Sequence, residues 1–527
     1  MGSQIRTVCA SPSLQTVANT LLTNLFRSLT TQKLKLGFSI FLFLFAVVTC
    51  GRPLSDSPSR KNLSPDSFHR YGEKDDRPGT STSPSPQQGK GAEGLIPVKD
   101  TFLSPTLQKT VFSNGFTLIT QKRSGTGTVA VEAWIRVGSR YETESLNGIS
   151  HFLEHMLFKG SSRYTGEEIR RKIRRVGGYL NGETFWEYTK YYTIVPTDHV
   201  DTAIEIIGEM VMNPLIRPED VATERKVILE EIKRFQDDPR LFALNIVTRT
   251  LFPGHPLGRP VIGTEKTVKK ITHSQLVNFY QAHYTAPNII LVLVGDLHPE
   301  QIIQLVSRKF STLRSDPGAK IQLQPPPPQQ AFRSVTIERL LFQAYVAVGI
   351  PTLGVQDPDR YVMDLINVIL GSGKNSRIYQ RIKEQEGLSD EIDSIYLPLS
   401  DIGAWGIYVG TSPKYIERVK ELIFQEFETL KNRPLSDKEL EIARQTLAGN
   451  FLIEREDNLS QADFYGWFET IHQAESMEEY LKKIHAISPE DVQRVARRYF
   501  QPNNYNLFIV KPVNGIKKVL AGLGYLF

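Results

Sequence analysis

The stretch "ITHSQLVNFYQAHYTAPN", residues 271–288, has an echo 216 residues further on in "ISPEDVQRVARRYFQPNN", residues 487–504. A second pair falls in the same order: "PLIRPEDVATERKVI" from residue 214 is matched by "PLSDKELEIARQTL" from residue 434. Similarity that keeps its order along the chain points to a duplicated unit. The neighbouring segments agree. "GFTLIT" and "TGTVAVEAWIRVGS" alternate as strands do, and "YLNGETFWEYTKYYTIVP" returns to strand chemistry. Between them, "HFLEHMLF" and "GEEIRRKIRRVG" have helical spacing, the second closed by Gly177 and Gly178. "QPPPPQQ", residues 324–330, then interrupts, because a run of prolines fits neither a helix nor a central strand. After it the order restarts with "SVTIERLLFQAYVAVGI", read as one strand, then a helix, then the strand "LSDIGAWGIYVGTS". The expected fold class is α+β: two homologous sheet-plus-helix domains, 101–320 and 332–527, joined by a Pro-rich linker at 321–331.

The first hundred residues are different material. The net charge is +6, but residues 1–53 hold Arg6, Arg27, Lys33, Lys35 and Arg52 with no acid before Asp56, so the remainder carries +1. A charge so placed gives no reason to expect a nucleic-acid partner. It belongs to a targeting or anchor segment, residues 1–50: a basic lead and then an uncharged, mostly apolar run from Leu36 to Cys50, short for a membrane span and suited to a secretory signal. The expectation is a chain exported in a bacterium, membrane-anchored or periplasmic, with an organelle-targeted chain as the alternative. Residues 51–100, rich in Ser, Pro and Gly, read as a disordered tether. The two cysteines, Cys9 and Cys50, precede the folded part, which therefore has no thiolate to act as nucleophile or ligand.

Chemistry concentrates at "HFLEH", residues 151–155. On a helix His151 and His155 share a face one turn apart, the arrangement of two zinc ligands, with the Glu154 carboxylate beside them to handle a proton. A third ligand has to be His, Asp or Glu. The helical segment "ERKVILEEIKRFQDDP" offers Glu224 and Glu231, seven apart on one face, and its apolar stripe of Val221, Ile228, Ile232 and Phe235 partly overlaps that face. Periodicity alone does not choose between Glu230 and Glu231. The run "RRKIRR", 170–175, is read first as a solvated helix face and second as a surface for acidic peptides. His199, His255, His273, His283 and His298 have no partner at ligand spacing and are read as structural, and Trp186 and Tyr188 as lining the sheet or its pocket.

The stretches "VGSRYETESLNGISHFLEHMLFKG", "GGYLNGET" and "ERKVILEEIKRFQDDP" together resemble the pitrilysin/insulysin family of inverted-motif (HxxEH) zinc peptidases, and within it the bacterial branch like the mitochondrial processing peptidase. The similarity runs over about residues 105–515. It implies a zinc endopeptidase with one Zn2+ per chain, held by His151, His155 and Glu231, with Glu154 as the general base and Glu224 in support. It also implies that Asn181 lies on an edge strand that takes an extended peptide or unfolded segment as an added strand. The second half has no HxxEH, and Asn450 stands at the position of Glu231, so that half is expected to act as one wall of a substrate chamber shared with partner domains. The family's Arg/Tyr pair falls here on Lys383 and Asp390, with Arg377, Tyr379 and Arg381 nearby. That departure implies a hetero-oligomer with a homologous Arg/Tyr-bearing subunit, or else a homodimer. The alternatives are a metal-binding but poorly active or non-catalytic subunit of a larger assembly that needs an Arg/Tyr-bearing partner, a purely structural subunit, and a module that binds peptides without cutting them. Retention of His151, Glu154, His155 and Glu231 argues against the structural subunit.

Overall fold

The computed structural model describes residues 94–318, 322–339, 341, 343–477 and 479–513. The expected targeting segment and most of the expected tether lie outside them. No helix among the described residues is long and apolar enough to cross a membrane.

Two sheets form the frame. The first contains β1 (Pro97–Ser104), β2 (Leu107–Phe112), β3 (Thr117–Lys122), β4 (Thr128–Ile135), β5 (Tyr179–Thr184), β6 (Thr189–Pro196) and β7 (Ile289–Gly295), side by side as β1-β2-β3-β7-β4-β6-β5. The second contains β8 (Arg333–Arg339), β9 (Ala344–Leu353), β10 (Glu391–Pro398), β11 (Ile402–Thr411) and β12 (Asn506–Pro512), in the order β10-β11-β9-β12-β8. Read from its other edge, the second order reproduces β3-β7-β4-β6-β5 strand for strand. The senses match too: β3–β7 and β8–β12 are parallel, β4–β7 and β9–β12 antiparallel. The last strand of each half enters between two earlier ones. β7, "IILVLVG", is buried at every position, as suits a strand covered on both faces.

The longer helices, in chain order, are α1 (Ile149–Leu157), α2 (Gly166–Arg175), α3 (Val200–Met212), α4 (Pro218–Asp237), α5 (Pro239–Leu251), α6 (His273–His283), α7 (Pro299–Lys309), α8 (Arg360–Leu370), α9 (Ile416–Asn432), α10 (Asp437–Ile453), α11 (Asn458–Ile471) and α12 (Pro489–Tyr499). The two stretches of the sequence repeat become α6 and α12. Both begin in capping boxes, Thr272 with Gln275 and Ser488 with Asp491, each worth about 1 kcal/mol. Both lead through a proline-containing turn, Ala286–Asn288 or Pro502–Asn504, into the central strand.

The halves also exchange helices, which the repeat alone does not announce. α5 packs on β9 and β12 of the second sheet, and α11 packs on β4 and β7 of the first. The approach of α11 is close: a Cβ on Gly466 would lie 2.1 Å from Trp134 Nε1, so glycine lets the helix rest on the indole. Ion pairs surround this contact, with Lys190 between Glu183 and Asp463, and Lys109 and Arg136 both on Glu469. Each chain-order half is thus completed by a helix of the other.

Two expectations need correction, and one strand has no counterpart in the sequence reading. Pro97–Asp100, assigned to the tether, belong to β1, which pairs with β2; Val98 and Phe102 give this short run a strand character that the composition of 51–100 conceals. "SVTIERLLFQAYVAVGI" is two strands, β8 ending at Arg339 and β9 beginning at Ala344, which take opposite sides of β12. β10, "EIDSIYLP", has two acids and a closing proline and goes unread in the sequence, yet an edge strand tolerates both. Residues 322–332 form neither helix nor strand, and the Gln324 carbonyl accepts from Arg140 and His255.

Candidate metal centre

The site begins with a helix that lacks its own cap. Gly148, at the N-cap of α1, has φ +95 and no side chain to offer. Glu142 supplies the acceptor instead. Its Oε2 accepts the Gly148 N–H at 2.8 Å and Asn147 Nδ2 at 3.1 Å, and its Oε1 accepts the Ser150 N–H at 2.9 Å. The contribution is that of a capping carboxylate, placed where a helix N-terminus favours negative charge. Burial nevertheless pushes the Glu142 carboxyl up to about 7, against these hydrogen bonds.

α1 is buried along its whole length. His151 and His155 sit one turn apart with ring centroids 4.7 Å from each other. α4 crosses beside them, and its buried residues are Val221, Glu224, Ile228, Glu231 and Ile232. This resolves the choice that periodicity leaves open: Glu231 faces α1, whereas Glu230 is exposed and pairs with Lys233. Glu231 Oε2 lies 3.8 Å from His151 Nε2 and 3.5 Å from His155 Nε2.

The donor set fits zinc. One ligand atom from each of His151, His155 and Glu231 falls within 4.8 Å of the other two, and the two Glu231–His distances approach the roughly 3.4 Å separation of tetrahedral ligands at zinc bond lengths. His155 Nδ1–H donates to Glu224 Oε2 at 3.0 Å, which turns the buried Nε2 toward Glu231, where a neutral ring presents its lone pair. Lys159 holds the other Glu224 oxygen. Burial works to raise the Glu224 pKa, but the His155 and Lys159 hydrogen bonds outweigh it and keep this carboxylate below its usual range. For His155 burial works downward; the Glu224 hydrogen bond and then the Glu231 carboxylate outweigh it and push the imidazole up to about 10. A divalent cation bound at Nε2 would take the place of the proton there.

Glu154 stands outside this donor set. Its Oε2 accepts a hydrogen bond from Thr184 Oγ1 at 2.7 Å. Burial, opposed by His155 and Thr184, pushes its carboxyl up to about 8, a range in which a side chain can both take and return a proton. Thr184 ends β5, the free edge of the first sheet among the described residues, and Asn181 is on the same strand with Nδ2 donating to Tyr192 Oη at 3.2 Å. Asn181 is therefore three residues along the edge from the strand residue that contacts Glu154, and is not in the candidate donor set. Sequence reasoning passed over Glu142, Lys159 and Thr184. Thr184 and Glu142 lie within the quoted motif stretches, but only the backbone path shows which way they turn.

The second half keeps the frame without the donors. Matching the buried faces of α1 and α8 (Phe152, Leu153, Met156 and Leu157 with Leu365, Ile366, Ile369 and Leu370) puts Asp364, Asn367 and Val368 where His151, Glu154 and His155 stand. Asn450 takes the place of Glu231, since α4 and α10 start 219 residues apart. Even the edge-strand hydrogen bond recurs, with Ser394 Oγ of β10 donating to Asn367 Oδ1 at 2.8 Å. Asp364, Asn367, Val368 and Asn450 line a cavity of about 220 Å³. Lys383 and Asp390, at the expected Arg/Tyr positions, pair with each other at 2.9 Å, and Arg377 is engaged by Glu439.

Comparison with known proteins agrees with this division. Residues 117–265 match the family described as Insulinase (Peptidase family M16), and residues 270–447 match the Peptidase M16 inactive domain. An uncharacterised zinc protease of Streptomyces coelicolor is 32% identical over 406 residues, covering 74% of this chain and 87% of that protein. An uncharacterised zinc protease of Bacillus subtilis is 28% identical over 400 residues, 76% of this chain and 97% of that one. A crystal structure of a protease from Helicobacter pylori shares the fold with a TM-score of 0.73 at 22% identity, covering 77% of this chain and all of that one. With its sheet-plus-helix halves and, among the described residues, a cluster of side chains that could hold a metal ion, this chain belongs to the M16, or pitrilysin, peptidase family.

Proposed function

We propose that the chain is a zinc endopeptidase that cuts peptides or unfolded segments bound along the β5 edge. The observation that carries this reading is the convergence of His151, His155 and Glu231 beside the buried Glu154 carboxyl. Bound zinc would supply a water acidified to near neutral pH and a Lewis acid for the scissile carbonyl. Glu154 takes the proton of the attacking water and delivers it to the leaving amine, while Thr184 fixes the orientation of its carboxyl group. Glu224 holds His155 in the tautomer that presents Nε2. The open N–H and C=O groups of β5 pair with the backbone of an extended peptide, which makes recognition tolerant of sequence. Asn181 assists at that edge. We further propose export through the N-terminal segment, and a partner chain that contributes the Arg/Tyr pair missing around Lys383 and Asp390.

The test is cleavage of quenched peptides by the full chain, with zinc, after chelation, and after zinc is restored, beside Glu154→Gln. The reading expects activity that follows the metal and is lost in the variant with zinc retained. Cleavage that survives chelation, or an active Glu154→Gln, contradicts it.

A further inference from the structure

One feature beside the β5 edge is unused by this reading. α2 carries Arg170, Arg171, Lys172, Arg174 and Arg175 against Glu167 and Glu168 in its first turn. Ile169 and Ile173 bury one stripe, and the four arginines are exposed. Arg170 and Arg174, and likewise Arg171 and Arg175, are like charges one turn apart, a spacing that opposes the helix. None of the five bases forms an ion pair among the described residues; Arg170 donates to the Phe158 carbonyl, and Lys172 lies over the Tyr164 ring. Glu168 offsets Arg171 and Lys172 in part through charge alone, and the remaining arginines of the face have no ion pair among the described residues.

Its position gives that charge a direction. Phe158, which receives Arg170, ends α1 and packs beneath Gly182 of β5. α2 then runs through Gly177, at φ +76, straight into Tyr179, the first residue of β5. Glu154, the proton-transfer group of the reading above, is at the opposite end, held by Thr184. From Tyr179 to Thr184 the strand covers about 17 Å, so a peptide along it passes from the catalytic end to the arginines in about five to seven residues.

We infer that the α2 arginine face is a subsite for acidic side chains of the bound peptide, placed about five to seven residues from the bond that is cut. The inference rests on the β5 reading above and adds a substrate class to it. Backbone pairing along β5 supplies affinity without sequence preference, and the arginines select acidic segments at the far end through charge-assisted contacts.

The test uses the full-length chain carrying Glu154→Gln, zinc-loaded, and fluorescent peptides that share a core and differ only in a distal tail of Asp/Glu, Gln or Lys. Anisotropy should show the acidic tail binding roughly fivefold tighter than the Gln tail at low salt, as expected for a few exposed ion pairs. High salt and the triple variant Arg171→Gln/Arg174→Gln/Arg175→Gln should both remove that advantage. Equal binding of the three tails, or an advantage that persists in the triple variant, overturns the inference. Vesicles of anionic phospholipid form the second arm: loss of vesicle binding in the triple variant with peptide preference unchanged assigns the face to a membrane and also overturns it. Cleavage of the Gln-tailed peptide by the wild-type chain reports on the peptidase reading separately, because that peptide does not depend on the arginines.

Discussion

The candidate metal cluster in the first half and the matching cavity in the second are one piece of architecture used twice. Both have a helix after a central strand, a long helix crossing it, and an edge-strand hydroxyl that donates to the helix: Thr184 to Glu154, Ser394 to Asn367. The buried apolar faces of α1 and α8 correspond position by position. What differs is the set of side chains turned to the site, His151, Glu154, His155 and Glu231 against Asp364, Asn367, Val368 and Asn450. The fold is set by the first group of positions and the chemistry by the second, which is why a shared fold does not by itself carry an activity.

The comparison can be broken first at the ligands. His155→Ala should remove bound zinc and reduce peptide cleavage to background, measured by metal analysis and a quenched-peptide assay; a variant that keeps zinc would place the ion elsewhere. Glu154→Gln should lower turnover by roughly 10²–10⁴-fold with zinc content unchanged, as expected when a proton-transfer group alone is lost. The reverse experiment sharpens the contrast. Asp364→His/Val368→His/Asn450→Glu, built into the cavity of about 220 Å³, should bind a second equivalent of zinc. If those side chains bind none while the protein stays folded, the two frames are less alike than their helices indicate.

A smaller effect is expected at Glu142, the distant cap of α1. Glu142→Gln should cost about 1–2 kcal/mol of stability, the range for a damaged buried hydrogen-bond set. Its pH dependence has a definite sign. The folded carboxyl titrates at about 7 and the unfolded one near 4.3, so the folded state holds this proton more tightly. The contribution to stability is therefore fully present below the unfolded value and declines as pH rises toward the folded one. The deficit of Glu142→Gln relative to wild type should shrink across that window, read from chelated protein by thermal melts. A deficit that grows with pH would contradict the assignment.

The duplication and the pairing of the two histidines were legible because they rest on local spacing. The two echoing stretches become α6 and α12 with the same caps and exits, and the i, i+4 histidines meet on α1. Glu231 needed the fold, since its neighbour Glu230 has equal claim by period until α4 is packed against α1. The exchange of α5 and α11 has no local signal, because which sheet a helix covers is decided by contacts far apart in sequence, such as Gly466 on Trp134. Glu142 escaped for a similar reason: a cap supplied from six residues upstream has no fixed spacing. β10 was hidden by its polar composition, and the first strand by the tether that adjoins it.

The most direct measurement is anomalous diffraction at the zinc absorption edge from crystals of the zinc-loaded protein. The account predicts one strong peak bounded by His151, His155 and Glu231, with none among Asp364, Asn367 and Asn450. A peak in the second half, or a loaded protein whose zinc lies away from α1, would contradict it.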